Sequence, residues 1–501
     1  MTLHAIRRLD VAFRRRQTLG SLLDTLASIH GDRRLVTEHD SGRELTYLQA
    51  AALTARWSDG IASVITPGEP VVVATANGFD QLLLSLAVAR AGGLPAPVND
   101  QMREKEIRHV VKDSGASLVL RKAAEVPDAP TRIDPVEVDP ARIAALFYTS
   151  GTTGEPKGAA LSHRGLVGQL SSAALFPAWL RRDEVVAGLP VAHIMGFAAY
   201  LGMATAGVPV YCFERFRADE VLVVIEQRRA TAFIGVPAMY RMMFEAGAAR
   251  HDLTSVRVWI SGADVMPSEL AKEFKRFGAS ARLPVLGSLG EAAFVEGYGM
   301  VEVGGGIAAK ISPPGVNLGV GDSLGFKLPG YRFRVVDDDG VDVGLGIVGE
   351  LWVKGPGVLE GYWNSPAATA EALTDDGWLR TGDLVRPGPL GTVVFSGRRK
   401  QVIKSGGFSV YPLEVEATLE EHPAVAEAAV IGLPDVKLGE VPVAAVRPNG
   451  DLADVSVDEL MAWAQDRLAH YKAPRRIVVV DELPRTGTSK IQRSRLLELF
   501  A

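Results

Sequence analysis

Between Tyr148 and Ala159 the chain reads YTSGTTGEPKGA, with the hydroxyls of Thr149, Ser150, Thr152 and Thr153 set among Gly151 and Gly154 and followed by Lys157 and Gly158. Hydroxyl donors beside backbone amides that carry no obstructing Cβ can surround an anion. A lysine adds a flexible point charge suited to a leaving pyrophosphate. The stretch fails as a Walker A loop, which needs Gly-Lys four residues after a glycine and then Ser or Thr on magnesium; here Lys157 lies between Pro156 and Gly158. Surface turns share this composition, so on residue types alone an anion cradle and a solvent turn stand near even.

Other residues pose the same choice: Glu302 in GYGMVE, Asp383 in WLRTGDL, His193 in GLPVAHIMGF and Lys490 in PRTGTSK. Their plain alternatives are a loop charge, a turn or helix cap, a helix-start histidine packed on apolar neighbours, and a solvated lysine.

The elements that must position these groups are legible from periodicity. VVVATANG precedes QLLLSLAVARAGG, EVVAGLP precedes MGFAAYLGMATAG, TAFIGVP leads into its helix, and VRVWISG precedes PSELAKEFKRF. This alternation predicts parallel βαβ units in an α/β fold, with ligands at the carboxyl ends of the strands. IAALFY reads as the strand before the glycine-rich loop, and HRGLVGQLSSAALF as a later helix. After Tyr298 short strands and turns take over, and Asp337 to Asp339 before Gly340 read as a hairpin turn. The tail from Arg398 alternates helix and strand as an α+β domain of about one hundred residues. The segment IRRLDVAFRRRQTLGSLLDTLASI reads as one solvated helix with an apolar stripe.

Composition limits the function. With 501 residues the chain is too long for one core, and its formal charge of −5 offers no electrostatic case for nucleic acid. No window approaches a membrane span. The single Cys212 permits no internal disulfide, which fits a reducing cytoplasm, and its apolar run VPVYCF points to burial.

YTSGTTGEPKG resembles the signature loop of the adenylate-forming superfamily, which includes acyl-CoA synthetases, firefly luciferases and peptide-synthetase adenylation domains. AVARAGGLPAPVN before it, and GLPVAHIMGF, ISGADVMP, GYGMVE, GELWVKGPGVLEGYW, WLRTGDL, GRRKQVIKSGGFSVYPLEVE and LPRTGTSKIQR after it, are similar to further family motifs in the expected order. The resemblance spans nearly the whole chain and is nearest to fatty-acyl- or aryl-CoA synthetases. It implies a large, multi-subdomain α/β domain over 1–397, with parallel sheets and a small barrel-like β part, and a small mobile α+β domain over 398–501. ATP, Mg2+ and CoA are the implied cofactors.

By the same resemblance, Thr149, Ser150, Gly151, Thr152, Thr153, Gly154 and Lys157 hold the β and γ phosphates of ATP, and Thr152 and Glu302 bind magnesium. Gly262 and Ala263 form a wall shared by the adenine and acyl pockets. Tyr298 stacks on adenine beside Gly299 and Met300, Asp383 binds both ribose hydroxyls, and Arg398 assists it. Lys490 meets the strongest chemical demand, because a carboxylate attacking the α phosphate brings two anions together and needs a cation aimed at both. Lys400 takes the hinge position about which the small domain rotates, exchanging Lys490 for the face that carries Gly406 and Gly407 beside a pantetheine tunnel.

His193 matches the position of a gating histidine near the substrate carboxylate. PVAHIMGF carries no acid to hold an ammonium group, which disfavours an amino acid. Phe197, Tyr200, Phe233 and Val236, with Met195 and Met239, are expected around an apolar acyl pocket, the alternative being plain core. Acetate-type enzymes carry tryptophan where Met300 stands, so a larger acid is implied. Val301 departs from the usual threonine. The reading is an ATP-dependent acid:CoA ligase for a medium- or long-chain fatty acid or another bulky apolar acid. Its alternatives are a fatty acyl-AMP ligase that loads an acyl carrier protein and a catalytically impaired nucleotide-binding homologue.

Overall fold

The computed structural model describes residues 3–14, 16–129, 134–149, 156–176, 182–283, 287–316, 323–450, 455–485 and 491–500. The chain divides into two compact units, 1–332 with 354–379, and 333–353 with 380–501. Contact density thus groups 333–353 and 380–397 with the tail.

The first unit is built on a nine-stranded mixed sheet. Its parallel centre contains Arg34–Glu38, Val185–Ala187, Val210–Cys212, Ala232–Gly235, Val258–Gly262 and Ala293–Met300, and antiparallel strands close both edges. Helices Ile194–Ala206, Pro237–Glu245 and Ser268–Phe277 follow strands as the alternation predicts. Trp259, Phe233, Tyr240, Phe274 and Phe294 interlock edge-on or tilted beside these strands, burying large apolar area in one cluster. A second, three-stranded parallel sheet centres on Pro70–Val73. Cys212 is buried against the Tyr200 hydroxyl, and burial pushes its thiol up to about 12.

Three expectations change. The basic N-terminal stretch forms two helices, Leu3–Arg14 and Leu22–His30. Gly20 lies between them, where a Cβ would come 2.7 Å from the Ala89 carbonyl oxygen. HRGLVGQLSSAALF forms a short α-helix, His163–Leu166, followed by 3-10 turns over Gly168–Leu175. Most consequentially, the glycine-rich loop joins no strand to a helix. Ile143–Thr149 and Lys157–Ser162 pair antiparallel with Thr149 opposite Lys157, so the loop is the connection of a hairpin.

In the second unit, Arg332–Val336, Gly349–Lys354, Leu379–Pro387 and Val393–Arg398 form a four-stranded sheet, the counterpart of the expected barrel-like part. Asp337 to Gly340 form its hairpin turn, with the Gly340 amide donating to the Asp337 carbonyl. The tail sheet pairs Val425–Asp435 with Gly439–Pro448. Side chains alternate faces along both strands, so Val430, Ala444 and Val446 enter one core with Leu419 and Leu460, while Ile431, Val443 and Ala445 enter another with Leu483 and Phe500. No helix among the described residues is long and apolar enough to cross a membrane.

Candidate active site

In the first unit, strand Ala293–Met300 turns back through a 3-10 turn, Val301–Val303, into strand Gly305–Ser312. A Cβ at Gly299 would stand 1.9 Å from the Gly305 carbonyl oxygen, so only glycine permits this tight return. Gly304, at φ +66, accepts at its carbonyl from the Gln169 side-chain amide at 2.8 Å, and Gln169 in turn accepts from the Tyr331 hydroxyl at 2.6 Å. The turn is braced from behind and leaves the Glu302 side chain half-buried at its front.

One Glu302 oxygen accepts from the Tyr362 hydroxyl at 2.9 Å. No donor among the described residues reaches the other. The Lys157 ammonium stands 5.6 Å from the centre of the Tyr362 ring. Tyr362 thus lies between the lysine of the glycine-rich loop and the carboxylate of GYGMVE. Burial, and then the negative Glu302, pushes its phenol well above the ordinary range, which keeps it a donor. Mg2+ takes few carboxylates and completes its shell with phosphate and water, so one half-buried carboxylate with an unclaimed oxygen fits that ion. No cluster of three or more His, Cys, Asp or Glu side chains able to cage a metal exists among the described residues.

The hairpin root is fixed on both sides. Thr149 Oγ1 donates to the Lys157 carbonyl at 3.4 Å, the Tyr148 hydroxyl donates to Asp113 at 2.8 Å, and His109 Nε2 bonds the Pro156 carbonyl at 2.9 Å. Ser150, Gly151, Thr152, Thr153 and Gly154 lie outside the described residues.

The sheet also brings Gly262 opposite Gly297, just before Tyr298 and Gly299. A Cβ on Gly262 would sit 3.0 Å from the Gly297 carbonyl oxygen and 3.6 Å from the Met195 sulfur. Ala263 adopts φ +68, an uncommon left-handed conformation for a residue with a Cβ. His193 caps the helix that carries Met195, its Nδ1 accepting from the Met195 amide at 3.3 Å. Phe197, Tyr200 and Phe233 are at most 1% exposed. They pack on Phe147, on the Leu189 carbonyl with Cys212, and on Tyr240 with Trp259 respectively, while Val236 and Met300 are half-buried.

In the second unit, Asp383 lies directly opposite Arg398 in neighbouring antiparallel strands, and their side chains form an ion pair at 2.7 Å. Asp383 is 1% exposed and Arg398 44%. Two residues not singled out in the sequence complete the arrangement. Glu350 accepts from the Gly382 amide at 3.0 Å and from Arg399 at 2.8 Å, bracing the Thr-Gly-Asp stretch of strand Leu379–Pro387. Lys400 is exposed in the next 3-10 turn, Arg399–Gln401. Gly406 and Gly407, at φ +58 and +86, form the two-residue turn between Ile403–Ser405 and Phe408–Val410, a geometry that favours glycine at both places. Lys490 lies outside the described residues, in 486–490, whose flanks Arg485 and Ile491 pair as a β-bridge.

A cleft of about 540 Å3 lined by Arg33, Arg34, Arg182, Glu184, Arg228 and Arg229, among others, opens elsewhere. It lies at the amino ends of the parallel strands, away from Glu302 and Gly262 at their carboxyl ends.

Residues 23–363 match the AMP-binding enzyme family, and residues 414–490 match the AMP-binding enzyme C-terminal domain. The chain belongs to the AMP-binding enzyme family. It is 33% identical to a feruloyl-CoA synthase from Amycolatopsis sp, across 92% of this chain and 94% of that protein. It is 30% identical to the long-chain-fatty-acid–CoA ligase FadD13 of Mycobacterium tuberculosis, across 97% and 99% respectively. ATP-bound MatB from Rhodopseudomonas palustris superposes with a TM-score of 0.84 at 27% identity, covering 97% of this chain and 99% of that one. The family places this chain among AMP-forming acid–thiol ligases, which work through an acyl adenylate with ATP and CoA as co-substrates.

Proposed function

We propose that this ligase activates a medium- or long-chain fatty acid or another bulky apolar carboxylic acid. The observation that carries the reading is the apolar wall at the end of strand Val258–Gly262, where the Met195 thioether fills the space beside Gly262 and no acid occurs in PVAHIMGF. Met300 stands, half-buried, where acetate-type enzymes carry a tryptophan that shortens the pocket.

In this reading a carboxylate oxygen of the acid attacks the α phosphorus of ATP, the bond to the β-phosphate oxygen breaks, and pyrophosphate leaves. Thr149, Ser150, Gly151, Thr152, Thr153, Gly154 and Lys157 hold the departing phosphates. Glu302 and Thr152 would ligate magnesium, which when bound supplies charge neutralisation on the phosphates. Tyr298, Gly299 and Met300 receive the adenine, the Asp383–Arg398 pair takes the ribose hydroxyls, and Lys490 offsets the charge where acid meets phosphate. The CoA thiol, having lost its proton, then attacks the acyl carbonyl carbon and AMP departs. His193 gates that carbonyl, Gly406 and Gly407 line the pantetheine path, and Lys400 serves as the pivot of the 398–501 domain.

The test is pyrophosphate release over acetate, octanoate, palmitate and aryl acids, each with and without CoA. Release and thioester formation with the longer or aryl acids, and little with acetate, is the expected result. A preference for acetate would overturn the pocket assignment, and release without thioester would identify a carrier-protein ligase instead.

A further inference from the structure

Tyr362 touches the two oppositely charged groups of the phosphate side. Its hydroxyl donates to Glu302 at 2.9 Å, and its ring lies under the Lys157 ammonium. The backbone fixes both contacts. Gly361 and Tyr362 pair antiparallel with Ala160 and Ala159, the Trp363 amide donates to the Gly158 carbonyl at 2.7 Å, and the Leu359 amide donates to the Glu302 carbonyl at 2.8 Å. The segment 359–363 therefore holds the strand that carries Lys157 and the turn that carries Glu302 at once. Thr369 supports it from behind, accepting from the Tyr362 amide at 2.9 Å.

We infer that Tyr362 is a positioning residue that sets metal affinity: it orients Glu302 so that the carboxylate oxygen other than the one Tyr362 holds faces the metal–nucleotide complex, in register with Lys157. A carboxylate free to rotate would spread over several rotamers and lose ordering on binding the ion. A hydrogen bond from a fixed phenol removes that freedom, as the outer partners of metal ligands generally do. The inference rests on the reading of Glu302 as the magnesium ligand, and not on which acid is activated.

The experiment titrates Mn2+ by electron paramagnetic resonance in the presence of α,β-methylene-ATP, which permits no turnover. Tyr362→Phe removes one oxygen and keeps the ring under Lys157. It should raise the Mn2+ concentration for half-saturation about tenfold, the lower end of the range for outer-sphere partners. Nucleotide binding in EDTA should stay unchanged, and so should the melting temperature. Glu302→Gln should raise the same concentration, and the double variant should add nothing to Glu302→Gln alone. A Tyr362→Phe titration that overlays the wild type, or effects that multiply in the double variant, would overturn the inference. A wild-type titration that Glu302→Gln leaves unmoved would instead overturn the metal reading beneath it.

Discussion

Two carboxylates, Glu302 in the first unit and Asp383 in the second, sit in opposite surroundings. The first unit leaves Glu302 half-buried, with one oxygen that no donor among the described residues reaches. The second buries Asp383 almost completely but matches it in strand register with Arg398, whose far side reaches solvent. On the proposed reading, the carboxylate that meets the metal is left partly open, whereas the one that meets the ribose is paired in advance with a guanidinium. The contrast teaches that a carboxylate's burial alone does not mark its role; the identity of its partner does.

Substitution should separate the two carboxylates most sharply. Glu302→Gln is expected to lower pyrophosphate release by about a hundredfold or more while barely moving the melting temperature, because the side chain carries little of the packing. A thermal shift comparable with that of a core mutant would break the comparison. Asp383→Asn should lower ATP affinity and also destabilise the second unit by about 1–3 kcal/mol, less than for a pair enclosed on both sides because Arg398 stays solvated. Urea denaturation beside nucleotide titration reads both quantities, and a loss of affinity without loss of stability would show that the pair is not structural.

The smallest effect concerns pH. His163 Nδ1 accepts from the Leu19 amide at 2.9 Å, so that nitrogen must be unprotonated, and burial lowers the ring to about 4. The folded form therefore binds its proton less readily than the unfolded chain. This stability is complete above the ordinary histidine range and is lost as pH falls toward the folded value. Between pH 7.5 and 5.5 it should cost about 1 kcal/mol. His163→Gln, which retains an acceptor, should flatten that slope in urea denaturation; an unchanged slope would assign the acid sensitivity to other groups.

Some of this was readable along the chain because the determinants are local. Helix Ile194–Ala206 declares itself by its apolar run, and the two-glycine turn at Gly406 and Gly407 by its composition. The glycine-rich stretch declared its resemblance to a family motif but not its topology, since IAALFY and KGAALS suit an antiparallel partner as well as a parallel one. Phe197, Tyr200 and Phe233 show the limit from another side. Apolar residues near a motif can line a pocket or fill a core, and their packing on Phe147, Leu189, Tyr240 and Trp259 depends on which strands are neighbours.

The sequence by itself determined the order of motifs, the alternation of strand and helix, the absence of an acid at PVAHIMGF, and the glycines that tight returns demand. Each of these is set by residue type or by neighbours within a few positions. Only the tertiary structure decided that Tyr362 meets Glu302 sixty positions away, that Glu350 grips both Gly382 and Arg399, and that Asp383 faces Arg398. The Asp383–Arg398 pairing follows from strand register, where a one-residue shift would turn every side chain to the opposite face, and the Tyr362–Glu302 contact from a strand and a turn far apart in sequence being packed together.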